Sequence, residues 1–168
     1  PPGTGKTTIA RLIAEERNMP FEEQSAVLSG MSDLRKIFNT AKLQKTSRAG
    51  TVLFVDEIHR FNKSQQDSFL PFIEDGTISL VGATTQNPRY ELNTALLSRV
   101  TILNLKPLTL DSMEKLLKRA EVELCLLLPL TKEARQHLLK ISNGDGRVLL
   151  NLVEHISNYT EEIDLEKL

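Results

Sequence analysis

Apolar positions recur along this chain in two rhythms, and the change from one to the other divides it. Between Thr7 and Arg17, Ile9, Ala10, Leu12 and Ile13 return at helical spacing and predict a first helix, followed by a short strand at Phe21–Ala26. Ser32 has the chemistry of an N-cap, and Leu34, Ile37, Phe38 and Ala41 follow it at i, i+3, i+4 and i+7. The loop Thr46-Ser47-Arg48-Ala49-Gly50 leads into Thr51–Asp56, an apolar run too short for a helix. Such a run reads as a strand buried on both faces of a parallel sheet. Ile78–Thr84, after the turn Glu74-Asp75-Gly76-Thr77, and Val100–Leu105, before Pro107, read the same way. Strands alternating with helices predict an α/β fold: a parallel sheet with crossover helices.

Beyond Pro107 only the helical rhythm remains. Asp111 with Glu114 has the spacing of a capping box ahead of Met113, Leu116, Leu117, Ala120 and Leu124. Thr131 starts a second helix carrying Ala134, Leu138 and Ile141, and Asp145 a third carrying Leu149, Leu152, Val153 and Ile156. The predicted division is an α/β domain over 1–106 and a small all-α domain over 107–168. No internal repeat or low-complexity segment interrupts either.

Composition narrows the classes. At 168 residues and 40% hydrophobic, the chain has material for one domain and a small satellite. A formal net charge of −1 predicts no general affinity for nucleic acid, so any DNA contact has to come from local geometry or assembly. The single cysteine, Cys125, excludes an internal disulfide or a zinc knuckle; inside Leu124–Leu128 it reads as a buried, inert thiol. Apolar runs are too short to span a bilayer and no signal peptide is visible, which makes a cytoplasmic location the expectation.

The chemistry concentrates at two places. Pro1-Pro2-Gly3-Thr4-Gly5-Lys6-Thr7-Thr8 carries the pattern G-x-x-x-x-G-K-[ST] without its first glycine. Gly3 and Gly5 let the backbone approach phosphate oxygens and aim N–H groups at them, and a helix starting near Lys6 adds its positive end. Lys6 would reach the β/γ-phosphates and the Thr7 hydroxyl would ligate Mg²⁺. About fifty residues on, Val52-Leu53-Phe54-Val55-Asp56-Glu57 is an apolar strand ending in adjacent carboxylates. Strand ends of this kind line the crevice where open α/β sheets bind ligands. Asp56 would hold the Mg²⁺ shell, and Glu57 would orient and deprotonate an attacking water. The second acid is what a hydrolase needs and a mere nucleotide binder does not.

Together these motifs resemble an AAA+ ATPase: a P-loop NTPase core lacking its first strand, followed by a helical lid. Within that superfamily, Asp56-Glu57-Ile58-His59-Arg60-Phe61-Asn62-Lys63-Ser64-Gln65-Gln66-Asp67, Glu74–Ile78 and Gly82-Ala83-Thr84-Thr85-Gln86-Asn87-Pro88 resemble the replication-associated recombination protein A family (RarA/MgsA) and its Werner-helicase-interacting relatives. The resemblance covers the whole chain and is densest from Val52 to Arg99.

It implies further roles by position. Thr85 resembles sensor 1, a polar side chain that feels the γ-phosphate; the plainer alternative is a strand-terminal threonine. Arg99 in Leu96-Leu97-Ser98-Arg99 resembles an arginine finger acting on a neighbouring subunit's nucleotide; the alternative is a surface ion-pair residue. Arg147 in Gly144-Asp145-Gly146-Arg147 resembles sensor 2, a lid arginine at the nucleotide, against a surface arginine at a helix start. Nucleotide contacts would fall to Pro2, Gly3, Thr4, Gly5, Lys6, Thr7, Thr8 and Arg147, metal contacts to Thr7 and Asp56.

His59–Asn62 either couple the site to DNA or a neighbour, or simply pack. His137 and His155 lack metal-ligand company. Lys36, Lys42, Lys45 and Arg48 form a basic cluster, either a solvated face or a graze against a phosphate backbone.

The implied activity is DNA-dependent ATP hydrolysis with Mg²⁺ in a ring-like homo-oligomer, a tetramer at full length. It would act on forked, gapped or single-strand-ended DNA, with single-strand-binding protein or a polymerase as partners and no membrane. Rival readings are a clamp-loader subunit, a branch-migration motor and a nucleotide-gated scaffold with little turnover. The strand that precedes a P-loop lies mid-sheet in such folds, so without it the expectation is a poorly folded or weakly nucleotide-binding chain.

Overall fold

The computed structural model describes residues 1–45 and 50–165, so Arg48 and most of the loop around it lie outside the described residues. The chain divides into two compact units, one of Lys6–Leu103 and one joining Pro1–Gly5 to the chain from Asn104 on.

The first unit is built on a parallel three-stranded sheet of β1 (Phe21–Ser25), β2 (Thr51–Asp56) and β3 (Ile78–Gly82), in that order. Val52–Val55, nearly inaccessible to solvent, make β2 the central strand, with Ser25 opposite Asp56 and Val55 opposite Gly82. Parallel strands in register end together, so Ser25, Asp56 and Gly82 mark one edge. Helix α1 (Lys6–Glu16) precedes β1. Asn18, in the left-handed region at φ 52°, closes α1: its N–H donates to Glu15 O and that of Met19 to Ala14 O, and the chain reverses into β1. An 11-residue helix and a five-residue strand are each about 16 Å long, so this reversal returns the start of α1 to the edge where the strands end.

Ala10, not the larger apolar residues, seats α1 on the sheet against Phe54 and Ala83. Ile9, Leu12 and Ile13 stay exposed, because a small residue at the contact lets helix and sheet approach closely. On the other face α2 (Met31–Lys45) buries Leu34, Ile37, Phe38 and Ala41, the stripe its spacing predicts. Phe38 stacks on Phe72 at 4.1 Å and meets Phe69 edge-on.

Several boundaries differ from the sequence reading. Ser32 lies inside α2 and does not cap it; the Gly30 N–H donates to the Asp33 carboxylate instead. β1 stops at Ser25 and β3 at Gly82, short of Ala26 and Thr84. Val100–Leu105 forms no strand: among the described residues nothing pairs with it, and a strand exists only against a neighbour that satisfies its backbone groups. Between β2 and β3 run α3 (Lys63–Asp67) and α4 (Leu70–Glu74), and after β3 α5 (Pro88–Glu91) and α6 (Thr94–Leu97). The Asn62 side chain and Gln65 form a reciprocal capping box at α3, while the buried Gln66 amide donates to the carbonyls of Phe61 and Glu91 and accepts from Asn93 N–H.

The second unit packs α7 (Leu110–Glu123), α8 (Lys132–Ile141) and α9 (Gly146–Ile156) around Met113, Leu117, Leu138, Leu149 and Val153. Thr109, not Asp111, caps α7 by accepting from Ser112 N–H. Thr131 and Asp145 cap α8 and α9 as their positions predict. Cys125 is exposed, not buried: it turns the chain out of α7 at φ 51°, leaving Leu124, Leu126 and Leu127 outward and burying only Leu128 of that run.

Glu114 is drawn away from the expected cap by Arg135. The guanidinium donates to Glu114 at 2.9–3.3 Å and to both oxygens of Glu121 at 2.7 and 2.9 Å. Glu121 is buried at 7% exposure, and hydrogen bonding from Arg135 holds its carboxyl below the usual carboxylate range. Removing one partner of a buried pair strands the other charge. Arg135→Met is expected to cost about 2–3 kcal/mol in urea unfolding, between a solvated and a fully buried pair. Because the Glu121 carboxyl is depressed in the folded chain, its contribution is present above the ordinary carboxylate pKa. It is lost as pH falls through the folded value, so the gap between wild type and variant narrows in acid.

Candidate nucleotide-binding site

The acidic pair sits at the sheet edge where its sequence places it. Asp56 ends β2, and Glu57 follows at φ 51° and ψ 42°, a left-handed conformation costing a residue with a side chain about 1 kcal/mol. That turn opens a 3-10 segment, Ile58–Arg60, and swings the Glu57 carboxylate off the strand direction. One oxygen of Asp56 accepts the Glu57 N–H at 3.1 Å.

The Glu57 carboxylate is held at one oxygen. Thr85 Oγ1 donates to Oε2 at 3.2 Å, and His59 Nδ1 lies 3.3 Å from the same atom. His59 Nδ1 is also 2.8 Å from Thr84 Oγ1, with the imidazole at 8% exposure. Two threonines just past β3 and a histidine two residues after the glutamate thus fix the orientation of Glu57 while leaving Oε1 outside this cluster. The sequence marks Glu57 and Thr85, carries no signal for Thr84, and leaves His59 open between packing and a site role. The histidine's spacing on a 3-10 turn, rather than a strand, is what turns it back toward the glutamate.

In the other unit, Pro1–Gly5 lie against the start of α9. Gly3 O accepts the Gly146 N–H at 3.0 Å, and a Cβ at Gly3 would fall 1.7 Å from Asp145 Oδ1 and 2.9 Å from Arg147 N. Only glycine fits there. Gly3 and Arg147 are therefore neighbours, with the Asp145 side chain capping the Arg147 and Val148 N–H groups. Gly5, at φ +81°, has open space on the side where a side chain would stand, so its backbone is approachable. Thr4 is buried and its hydroxyl donates to Pro1 O. Lys6, Thr7 and Thr8 form the first turn of α1.

Arg99 is brought to a different place. It lies just past α6, where Nε donates to Glu74 Oε1 at 2.8 Å, Nη2 meets the same oxygen, and Nη1 donates to Ala95 O and Ser98 Oγ at 2.8 and 3.0 Å. None of these partners belongs to the Glu57 cluster. Of the basic cluster, Lys42 sits over the Phe72 ring and Lys45 pairs with Asp75, while His137 is exposed and His155 meets Tyr159 edge-on.

The donor set suits a hard, oxygen-seeking cation. Among the described residues no three His, Cys, Asp or Glu side chains gather. A hydroxyl at the head of α1 and one carboxylate at the strand end instead match the sparse protein ligation of Mg²⁺, which takes its other oxygens from water and phosphates.

The model of the ATPase family associated with various cellular activities (AAA) matches residues 1–108. The chain belongs to the AAA ATPase family. It is 45% identical over 174 residues to replication-associated recombination protein A of Escherichia coli K12, covering 99% of this chain and 38% of that protein. It is 44% identical to ATPase WRNIP1 of Dictyostelium discoideum, over 92% of this chain and 18% of that one. Among solved structures it is similar to the Thermotoga maritima RuvB Holliday junction branch migration motor, with a TM-score of 0.76 and 30% identity over 97% of this chain and 56% of that one. This AAA chain thus spans well under half the length of the curated relatives it matches. Among the described residues, no helix is long and apolar enough to cross a membrane.

Proposed function

We propose that this chain is the ATP-hydrolysing part of a DNA-dependent AAA+ ATPase acting in replication-associated recombination and repair, at forked, gapped or single-strand-ended DNA. The observation that carries the catalytic half is Glu57, left-handed at the end of β2 with its carboxylate steered by Thr85 and His59. The DNA half rests on the 45% identity to replication-associated recombination protein A, against 30% to the branch-migration motor.

In this reading residues 1–106 form the nucleotide domain and 107–168 its lid. Backbone N–H groups from Gly3 to Thr8 and the Lys6 ammonium grip the phosphates of ATP, Pro2 shaping the loop without a donor of its own, with Arg147 reading nucleotide state from the lid. Thr7 and Asp56 would hold Mg²⁺, which would supply positive charge against the phosphates as negative charge develops. Glu57 accepts the proton of the attacking water, and Thr85 senses the γ-phosphate. Arg99 serves the nucleotide of the next copy in a ring-like homo-oligomer, a tetramer at full length, working in the cytoplasm with single-strand-binding protein or a polymerase as candidate partners.

His59 has a positioning role here. Misplacing a general base by about an ångström costs up to 10²-fold. His59→Ala is therefore expected to lower kcat about ten- to a hundredfold while nucleotide affinity holds, and His59→Asn to recover part of it. Equal loss in affinity and kcat would make His59 a packing residue.

Steady-state ATP hydrolysis by the full-length protein, with and without forked DNA, tests the whole reading. DNA-stimulated turnover supports it. Turnover indifferent to DNA removes the DNA half, and tight nucleotide binding without turnover leaves a nucleotide-gated scaffold.

A further inference from the structure

Arginine has five N–H donors, and Arg99 has already committed four. Its Nε and Nη2 converge on Glu74 Oε1, and both Nη1 hydrogens have partners in Ala95 O and Ser98 Oγ. A guanidinium grips a phosphate through two parallel N–H bonds along one edge. Each of the edges that include Nη2 has at least one donor spent, so Arg99 as it stands has no whole edge to offer an anion. Glu74 closes α4 and Arg99 follows α6, two short helices on either side of β3 in sequence, so the pair is a tertiary contact rather than a neighbour effect.

We propose that Glu74 is a positioning residue that holsters Arg99, so that the arginine reaches a neighbouring copy's γ-phosphate only by exchanging one anion for another. This rests on the reading of Arg99 as a finger acting in trans. The Glu74 carboxylate and the incoming phosphate compete for the same donors, and both pair members are more than a third exposed, at 37% and 53%. An exposed pair of this kind is weak enough to open thermally and strong enough to bias the arginine toward its own subunit. Removing the competing charge shifts the arginine toward engagement by the strength of the pair. That corresponds to a rise in turnover of about two- to fivefold.

The experiment is ATP turnover by the full-length protein at a fixed, partly assembling concentration, comparing wild type, Glu74→Gln, Arg99→Ala and the double variant. The expected result is a two- to fivefold rise in kcat for Glu74→Gln, with no further change when the same substitution is made in the Arg99→Ala background. Its urea midpoint moves only slightly from the wild-type value, because the pair is solvated. A fall in kcat, or no change, while Arg99→Ala is strongly impaired overturns the holster and leaves the finger standing. A rise that persists without Arg99 also overturns it, since the effect would then not pass through the arginine. Full activity of Arg99→Ala sinks the finger and the holster with it.

Discussion

Arg99→Ala is expected to reduce ATP turnover by about 10³- to 10⁵-fold, the range over which an arginine acting in trans stabilises phosphoryl transfer. Two readings of this residue diverge sharply here. As a surface ion-pair residue, Arg99 contributes about 0–1 kcal/mol to folding through Glu74, and its loss leaves hydrolysis nearly intact. As a finger, it acts on the neighbouring copy's nucleotide in the transition state, so nucleotide affinity holds while kcat collapses. Its hydrogen bonds to Glu74, Ala95 and Ser98 serve both readings, because a side chain meant to be presented to a neighbour still needs anchoring when alone. Steady-state kinetics beside equilibrium nucleotide binding separates them.

Glu57→Gln is expected to lower turnover by about 10²- to 10⁴-fold, the contribution of a positioned general base, while ATP binding persists or tightens. Glutamine preserves the shape of the side chain and can still accept from Thr85, so the contacts that orient position 57 survive and the lost function is proton acceptance. That isolates chemistry from structure. Stopped-flow binding of a fluorescent nucleotide beside a phosphate-release assay checks both halves, and a variant that retains turnover would remove Glu57 from the base role.

Much of this was legible in the sequence, for identifiable reasons. The apolar run Val52–Val55 could hardly be anything but a central strand, and its two trailing carboxylates had to emerge at the sheet edge. Leu34, Ile37, Phe38 and Ala41 fell on one helical face and are buried together. What periodicity could not supply was contact partners. Val100–Leu105 has the composition of a strand but no described neighbour to pair with, and composition says nothing of neighbours. Cys125 sits among leucines, yet a left-handed turn puts it outside. Around the candidate site, Asp56, Glu57 and Thr85 were readable from position, whereas the reach of His59 to Glu57 depends on the 3-10 turn between them. The Glu74–Arg99 and Arg135–Glu121 pairs, separated by 25 and 14 residues, leave no local signature at all.

The central claim is that each hydrolytic site takes its base from one copy and its arginine from the next. Mixing full-length Glu57→Gln with full-length Arg99→Ala, each inactive alone, tests it directly. A mixed ring contains interfaces where an intact Glu57 faces an intact Arg99, so the account predicts that forked-DNA-stimulated ATP turnover returns on mixing. Two silent variants that stay silent together, while still co-assembling, would contradict it.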